Sequence, residues 1–195
     1  MNKYLLIVIA AAVGALGAGG AQAIWRFTDT RDGKTYRTVK IDKMVWMAEN
    51  LNFAAKGSVC YENKNANCAK YGRLYNWDTA LKACPDGWSL PSDDEWAALE
   101  NYAGGVKKAG TKLKSKAGWN NNGNGTDQYG FAALPGGGGS SGGGFGYVGI
   151  FGLWWSTTED SANHARSRYM YYDGEHVGWD VYNKTYRLSV RCVAD

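Results

Sequence analysis

The chain has 195 residues, of which 22 are Lys or Arg and 18 are Asp or Glu, giving a formal net charge of +4. This length suits one ordinary domain, and the mild, scattered positive charge argues against nucleic-acid binding, which needs a denser basic stripe. Nine tryptophans and thirteen tyrosines stand against only five phenylalanines. This composition favours amphipathic rings that serve both a core and a binding surface.

The first 23 residues have the pattern of a secretory signal peptide. Lys3 supplies a positive start, residues 4–16 are almost wholly apolar, and Ala21-Gln22-Ala23 has the small-x-small form of a cleavage site. The apolar run is short and interrupted by glycines, which disfavours a retained membrane anchor. We therefore expect a signal peptide over residues 1–23 and one mature domain over residues 24–195. The mature protein should be secreted or held at the cell surface, with no stable membrane span after processing.

The first half of the mature chain predicts strands followed by two helices. Residues 25–41 have the pattern of a strand pair, and Met44–Met47 that of a short buried strand. Apolar residues at helical spacing over residues 74–81 predict a first helix that ends near Cys84. The second helix is predicted from Asp93 to about Ala103, because Ser92 and Glu95 can form a reciprocal capping box.

The second half is rich first in glycine and then in strand-forming residues. Residues 136–146 form a glycine-serine tract, which we predict to be a surface loop because it offers little apolar surface to bury. Three strands are predicted over residues 165–172, 175–182 and 185–193, with Asp173-Gly174 as a two-residue hairpin turn. Strands, then helices, then antiparallel strands in this order predict an α+β fold.

Four cysteines follow the expected cleavage site, and in an exported protein an even number predicts disulfides. Three pairings are possible; we favour Cys60 with Cys68, closing a polar loop, and Cys84 with Cys192, joining the last strand to the middle of the chain. A zinc site is the rival interpretation. It is disfavoured because no Cys-x-x-Cys pair is present and both histidines are distant from the cysteines.

The sequence offers little support for catalysis. Glycoside hydrolysis needs two carboxylates facing one bond, and no pair of acidic residues in the chain has a diagnostic arrangement. Glu95 is better explained as a capping residue, and His164 and His176 lack a nearby nucleophile motif. We therefore predict that the protein is not an enzyme, with no catalytic and no metal-ligating residues.

A noncatalytic binding surface is the stronger hypothesis. The segment between residues 166 and 187 is unusually dense in Tyr, Trp and Arg, the residue types that dominate affinity at recognition surfaces. The alternative is ordinary strand filling with no ligand, since hairpins also use aromatic cross-strand pairs for their own stability. The candidate ligand-binding residues are Arg166, Arg168, Tyr169, Tyr171, Tyr172, Asp173, Glu175, His176, Trp179, Asp180 and Tyr182.

Several ordered motifs resemble one family, the Fibrobacter succinogenes major paralogous domain. The matching segments are Lys34-Thr-Tyr-Arg-Thr-Val-Lys-Ile41, Trp46-Met-Ala-Glu-Asn-Leu-Asn52, Tyr71-Gly-Arg-Leu-Tyr75, Cys84-Pro-Asp-Gly-Trp88, Gly118-Trp-Asn-Asn-Asn-Gly123, Trp154-Trp-Ser-Thr-Thr-Glu159 and Ser189-Val-Arg-Cys192. The resemblance covers residues 27–194, nearly the whole mature chain. It implies an exported or cell-surface protein of uncharacterised activity.

The resemblance also implies a C-type-lectin-like α+β fold, with two helices, small antiparallel sheets and disulfide staples. From this fold and the aromatic segment we expect a recognition or adhesion protein that binds carbohydrate or protein outside the cell. The alternatives are an enzyme related to formylglycine-generating and sulfatase-modifying proteins, or a structural surface or matrix component. We expect no cofactor. Lectin relatives suggest calcium, but only Trp179-Asp180 resembles a lectin calcium site, and the resemblance is loose.

Overall fold

The computed structural model describes residues 25–195, so the predicted signal peptide lies outside the described residues. Within them the chain forms twelve strands and four helices. The strands are β1 (Trp25–Thr28), β2 (Thr35–Ile41), β3 (Met44–Met47), β4 (Leu74–Tyr75), β5 (Trp88–Ser89), β6 (Gly136–Gly139), β7 (Phe145–Val148), β8 (Phe151–Ser161), β9 (His164–Tyr171), β10 (Val177–Asn183), β11 (Leu188–Ser189) and β12 (Val193–Ala194). The helices are α1 (Asn65–Tyr71), α2 (Trp77–Ala80), α3 (Asp93–Tyr102) and α4 (Val106–Leu113), with 3-10 turns at Tyr61–Asn63 and Asn120–Asn122.

The end of the chain belongs to both sheets of the fold. The first sheet has the strand order β1-β2-β3-β12-β5, and the second has the order β10-β9-β8-β11-β4 with β6 and β7 at its side. Residues 190–192 therefore carry the chain from one sheet to the other. The predicted α+β class is confirmed. The expected purely antiparallel pairing is wrong for the second sheet, because β6 and β11 reach β8 through long connections and run parallel to it.

Both predicted disulfides are present. Cys60 is bonded to Cys68, eight residues away, and Cys84 is bonded to Cys192, 108 residues away. The second bond joins the segment just before β5 to the crossing between β11 and β12, where Cys192 is fully buried. It therefore ties the middle of the chain to its last strands.

Helix α3 begins where the capping box predicts. The Ser92 hydroxyl accepts a hydrogen bond from the Glu95 amide at 3.3 Å, and the Glu95 carboxylate accepts one from the Ser92 amide at 2.7 Å. Together these bonds satisfy two of the amides that a helix start leaves unpaired. Trp96 and Leu99 are buried on one side of the helix, so local capping and a helical apolar spacing agree at this site.

The prediction of two helices is wrong, since four are present among residues 25–195. Only the last part of the first predicted helix is helical: Leu74–Tyr75 is strand β4, and α2 starts after Asn76, whose side chain caps the Thr79 amide at 2.9 Å. Helix α1 occupies the loop closed by Cys60 and Cys68. Helix α4 occupies the lysine-rich run, where Ala109 and Leu113 are buried while Lys107 and Lys108 are exposed.

The glycine-serine tract is not a surface loop at its start, as predicted, but the buried strand β6. All four of its glycines are buried. A Cβ added at Gly137 would lie 2.3 Å from the Gly146 carbonyl oxygen, and Gly137 also has a φ of +63°. The missing side chains thus let β6 fit between β7 and β8, where a larger residue would clash.

The predicted C-terminal strands hold for β9 and β10 but not beyond them. Residues 172–176 form a five-residue connection in place of the predicted two-residue turn. The predicted strand over residues 185–193 is broken into β11 and β12. Between these strands the carbonyls of Val190 and Cys192 accept hydrogen bonds from the amides of Leu51 and Met47, at 2.9 and 3.0 Å. This segment therefore pairs with residues 47–51 and not with β10.

Buried tyrosines make the core sensitive to alkali. Burial raises the pKa of Tyr36 to about 12 from 10.0 and raises that of Tyr75 well above its ordinary value. The fold thus favours the neutral phenol, and its contribution is present below pH 10 and lost as the pH rises toward 12. A two-unit shift corresponds to about 2.7 kcal/mol, half of it lost by about pH 11.

We expect the free energy of unfolding to fall by about 1.4 kcal/mol more in the native protein than in Tyr36→Phe between pH 8 and about pH 11. Urea titrations of both proteins at each pH measure this difference. An equal fall in the two proteins would show that Tyr36 does not titrate abnormally.

Candidate recognition surface

The outer face of the second sheet is built from rows of side chains that cross β8, β9 and β10. Residues paired across neighbouring strands place their side chains on the same face. Leu153, Tyr169 and Gly178 are paired in one such row, and Phe151 and Tyr171 in the next. The alternate residues of the same strands, such as Trp154, face the core and helix α3.

Tyr169 lies flat on this face because its neighbour has no side chain. A Cβ added at Gly178 would lie only 2.2 Å from Cζ of Tyr169 and 2.5 Å from its hydroxyl oxygen. The ring therefore covers the Gly178 backbone, an arrangement known to compensate for glycine in a strand. The half-buried ring lines the first depression, and the absence of a side chain at Gly178 permits it to lie flat.

Two neighbouring depressions follow these rows, and we call them together the aromatic groove. The first has a volume of about 520 Å³ and the second of about 340 Å³. The first is lined by Phe151, Leu153, Tyr169, Tyr171, His176, Trp179, Asp180 and Tyr182. The second is lined by Gly138, Gly139, Ser140, Gly144, Phe145, Gly146, Tyr147, Leu153, Tyr182, Tyr186 and Leu188. Leu153 and Tyr182 line both, so the two depressions adjoin.

The rings of the groove support one another. Phe151 is central, with its ring centroid 4.7 Å from that of Tyr171, 5.9 Å from Tyr169 and 5.6 Å from Tyr147. Tyr186 packs beside Tyr182 at 5.5 Å. Large apolar residues remain open to solvent at the ends of the groove: Tyr147 is 61% exposed, Trp179 59% and Tyr186 37%.

The lining carries one charged side chain, Asp180, and no Lys or Arg. One Asp180 carboxylate oxygen accepts a hydrogen bond from the Val181 amide at 2.7 Å, and the side chain is exposed. Burial raises the pKa of Tyr182, and the nearby Asp180 charge acts in the same direction. The Tyr182 hydroxyl is therefore a neutral donor and acceptor at physiological pH.

The two candidate arginines lie on the opposite face of β9 and are already paired. Arg168 is buried and donates to Glu100 at 2.7 Å and to Asp93 at 2.8 Å, while Arg166 donates to Asp93 at 2.8 Å. Burial would raise the pKa of Asp93, but the hydrogen bond from Arg166 and the charge of Arg168 outweigh it and hold that pKa below its ordinary value. These arginines fasten α3 to the sheet. Trp179 is paired with Arg168 on the edge strand and is contacted by Arg166. Its ring therefore lies on the face of the arginines, and the residue borders the groove only at the sheet edge.

The rest of the candidate set lies in the connection between β9 and β10. Asp173 and Glu175 are exposed there, and Tyr172 packs against the core. The buried Lys114 ammonium holds this connection by donating to the carbonyls of Tyr172 and Gly174, at 3.0 and 2.9 Å. The structure thus brings together in the groove Tyr169, Tyr171, His176, Trp179, Asp180 and Tyr182, and leaves Arg166, Arg168, Tyr172, Asp173 and Glu175 outside its lining.

Sequence reasoning missed half of the groove. Tyr147, Phe151 and Tyr186 lie outside the candidate set, and the glycines of β6 were assigned to a loop. A signal was available for one of them, since Phe151 alternates with glycine and Leu153 in the pattern of a strand with two distinct faces. No cluster of three or more His, Cys, Asp or Glu residues that could hold a metal ion occurs among residues 25–195.

The motifs that carried the family resemblance meet in a buried polar network away from the groove. Asn50 accepts hydrogen bonds through Oδ1 from Trp154 at 2.9 Å and from Arg191 at 2.8 Å. Its amide nitrogen donates to the Tyr71 carbonyl at 2.8 Å. These residues come from four distant segments of the sequence, so the motifs specify how the two sheets are joined.

The sequence profile of the Fibrobacter succinogenes major domain matches residues 39–194. The chain belongs to this family. The match spans the described domain from β2 to β12. No curated protein and no solved structure matches the chain. Among residues 25–195 of this Fibrobacter succinogenes major domain, no helix has the length and apolar character needed to cross a membrane.

Proposed function

We propose that this Fibrobacter succinogenes major domain is a noncatalytic recognition or adhesion protein that acts at the cell surface or outside the cell. Its ligand, a carbohydrate or a protein, binds in the aromatic groove. The observation that carries the proposal is a pair of adjoining, solvent-open depressions lined by eight aromatic residues. Rings that a core does not cover are the groups that give recognition surfaces most of their affinity.

The scaffold behind the groove supports the same proposal. Concave sites bind best when the binding groups are held in place before the ligand arrives. Here the rings sit on paired strands, the opposite face is fastened to α3 by Arg168, and the adjoining connection is held by Lys114. The Cys84–Cys192 bond fits an extracellular site of action. We further propose that the fold is C-type-lectin-like, a scaffold suited to display of such a surface.

An enzyme related to the formylglycine-generating group is the weaker candidate. That chemistry requires free or metal-binding cysteines, and thiolates rather than disulfides are the reactive species. In this chain all four cysteines are in disulfides. Counting free thiols in the folded protein with a thiol-reactive dye tests this point: none are expected, and two or more reactive thiols would revive the enzyme candidate.

Binding of the purified domain to glycan and protein arrays tests the proposed function. We expect at least one ligand, with affinity lowered roughly tenfold or more by Tyr171→Ala. Tyr102→Ala is the matched control, because Tyr102 is an exposed tyrosine on α3 that does not line the groove. If neither array yields a ligand, or if Tyr102→Ala lowers binding as much as Tyr171→Ala, the proposal fails. A structural surface or matrix role would then be favoured.

A further inference from the structure

We infer that the groove takes an uncharged oligosaccharide of several sugar units, an inference that rests on the proposed function and narrows it to one ligand class. The charge of the lining is the first argument. The whole chain has 22 Lys and Arg residues, yet neither depression is lined by one, and the single charge is the Asp180 carboxylate. Arg166, which contacts Trp179, and Arg187, which donates to the Ser140 carbonyl, border the groove without lining it. Within the lining an acidic polysaccharide would meet one like charge and no cation, so the groove complements a ligand without negative charge.

The kind of apolar surface is the second argument. Of the eight aromatic residues in the lining, five are tyrosines, and the aliphatic members Leu153 and Leu188 are buried at its floor. Tyrosine pairs an apolar ring face with a hydroxyl that hydrogen-bonds. A sugar ring has the same division, with C–H groups on its face and hydroxyls around its edge.

The orientation of the Tyr169 ring is the third argument. Because Gly178 has no Cβ, the Tyr169 ring lies against the strand and presents one face to the groove. A flat, half-buried ring that lines a depression is a platform for the face of another ring. Asp180 and His176 border the same depression and supply acceptors or donors at the edge of a bound sugar.

The length of the groove is the fourth argument. Its lining runs from β10 across β9 and β8 to the hairpin of β6 and β7. With neighbouring strands about 4.8 Å apart, the groove extends roughly 15–20 Å. A single sugar would fill only part of this length, so the ligand class is an oligosaccharide chain.

Titration calorimetry with purified hexasaccharides tests the inference. The probes are neutral hexamers of glucose, mannose, xylose and galactose, in each available linkage, together with an acidic hexamer of galacturonic acid. We expect binding of at least one neutral hexamer, binding of its disaccharide weakened roughly tenfold or more, and no binding of the acidic hexamer.

Variants show whether the ligand lies in the groove. Tyr171→Ala removes a ring, and Gly178→Ala displaces the Tyr169 ring while removing no aromatic group; each should lower the affinity roughly tenfold or more. Tyr102→Ala should leave it unchanged. Thermal unfolding of each variant checks the fold, and Tyr171→Ala decides the result if Gly178→Ala does not fold.

The outcomes separate the two proposals. Tight binding of the galacturonate hexamer would overturn the inference of an uncharged ligand. If every neutral hexamer fails while a protein ligand binds and is lost in Tyr171→Ala, the inference is wrong and the recognition function stands. If no glycan and no protein binds, both proposals fall together.

Discussion

Replacement of Cys84 and Cys192 by alanine is expected to lower the free energy of unfolding by about 5 kcal/mol. The bond closes a loop between residues 108 apart in sequence, and in the chain-entropy model a loop of this length restricts the unfolded chain by about that amount. Such a loss is a large part of the 5–15 kcal/mol that stabilises an ordinary domain, roughly a third or more. The bond also fixes the segment that connects the two sheets, so the packing of both sheets should become looser when the bond is lost.

The Cys60→Ala/Cys68→Ala double variant provides the matched control. Its bond closes a loop of eight residues, for which the same model gives about 2.5 kcal/mol. Urea unfolding of the native protein and both double variants measures the two losses under one condition. If the short loop proves as costly as the long one, the loss is set by local packing around the sulfurs, and the long-range tie is not what stabilises the fold.

The parts of this fold that the sequence predicts well are those specified by residues close together in the chain. Ser92 and Glu95 are three residues apart, and they mark the start of α3. The disulfides were predictable for a different reason: with four cysteines in an exported chain, few pairings exist. Neither inference needed knowledge of a distant partner.

The parts that the sequence did not predict depend on distant neighbours. Strand β6 is buried because Gly138 lies against Leu188 and Leu153, and a run of glycines by itself resembles a loop. The position of Arg168 had a partial signal, since Asp93 and Glu100 are seven residues apart and share a helix face. Only the fold shows that this acidic helix face packs against β9. Without that knowledge, Arg168 was predicted to bind a ligand.

The groove shows the same division between local and distant information. The density of tyrosines in residues 169–182 indicated the correct strands, because the residues of one surface hairpin are contiguous in the sequence. Its other rings, Tyr147 and Tyr186, come from segments on either side, and they meet the first set only through the pairing of β6, β8 and β11. A binding surface assembled from several strands is therefore only half visible in a sequence read along the chain.

Arg191→Met is expected to destabilise the protein by about 3 kcal/mol or more. The Arg191 side chain is fully buried and donates to the carbonyls of Met47 and Phe131 and to Oδ1 of Asn50. All its hydrogen-bond acceptors among the described residues are amide oxygens. Burial lowers the pKa of Arg191 to about 9, so the guanidinium stays charged at neutral pH and acts as a cationic centre for these dipoles.

Methionine can fill the volume but offers no donor, so the carbonyls of Met47 and Phe131 would lose the buried donor of Arg191, while Asn50 Oδ1 would keep only Trp154. Each such acceptor costs about 1–3 kcal/mol, which is why the expected loss exceeds that of a lost surface charge. Arg191→Lys should give an intermediate loss, because a single ammonium cannot reproduce a planar fork of donors. The matched control is Arg187→Met, since that guanidinium is only partly buried and makes one hydrogen bond, at 3.4 Å to the Ser140 carbonyl.

Urea unfolding of the three variants at pH 7 tests this role of Arg191. The expected order of stability is Arg187→Met above Arg191→Lys above Arg191→Met, with the first within about 1 kcal/mol of the native protein. Because the Arg191 network joins the segment after β3 to the end of the chain, its loss should act on the same crossing that Cys192 holds. Adding Arg191→Met to the Cys84→Ala/Cys192→Ala variant should therefore cost measurably less or more than the sum of the separate losses. Strict additivity would mean that the disulfide and the arginine stabilise independent parts of the fold.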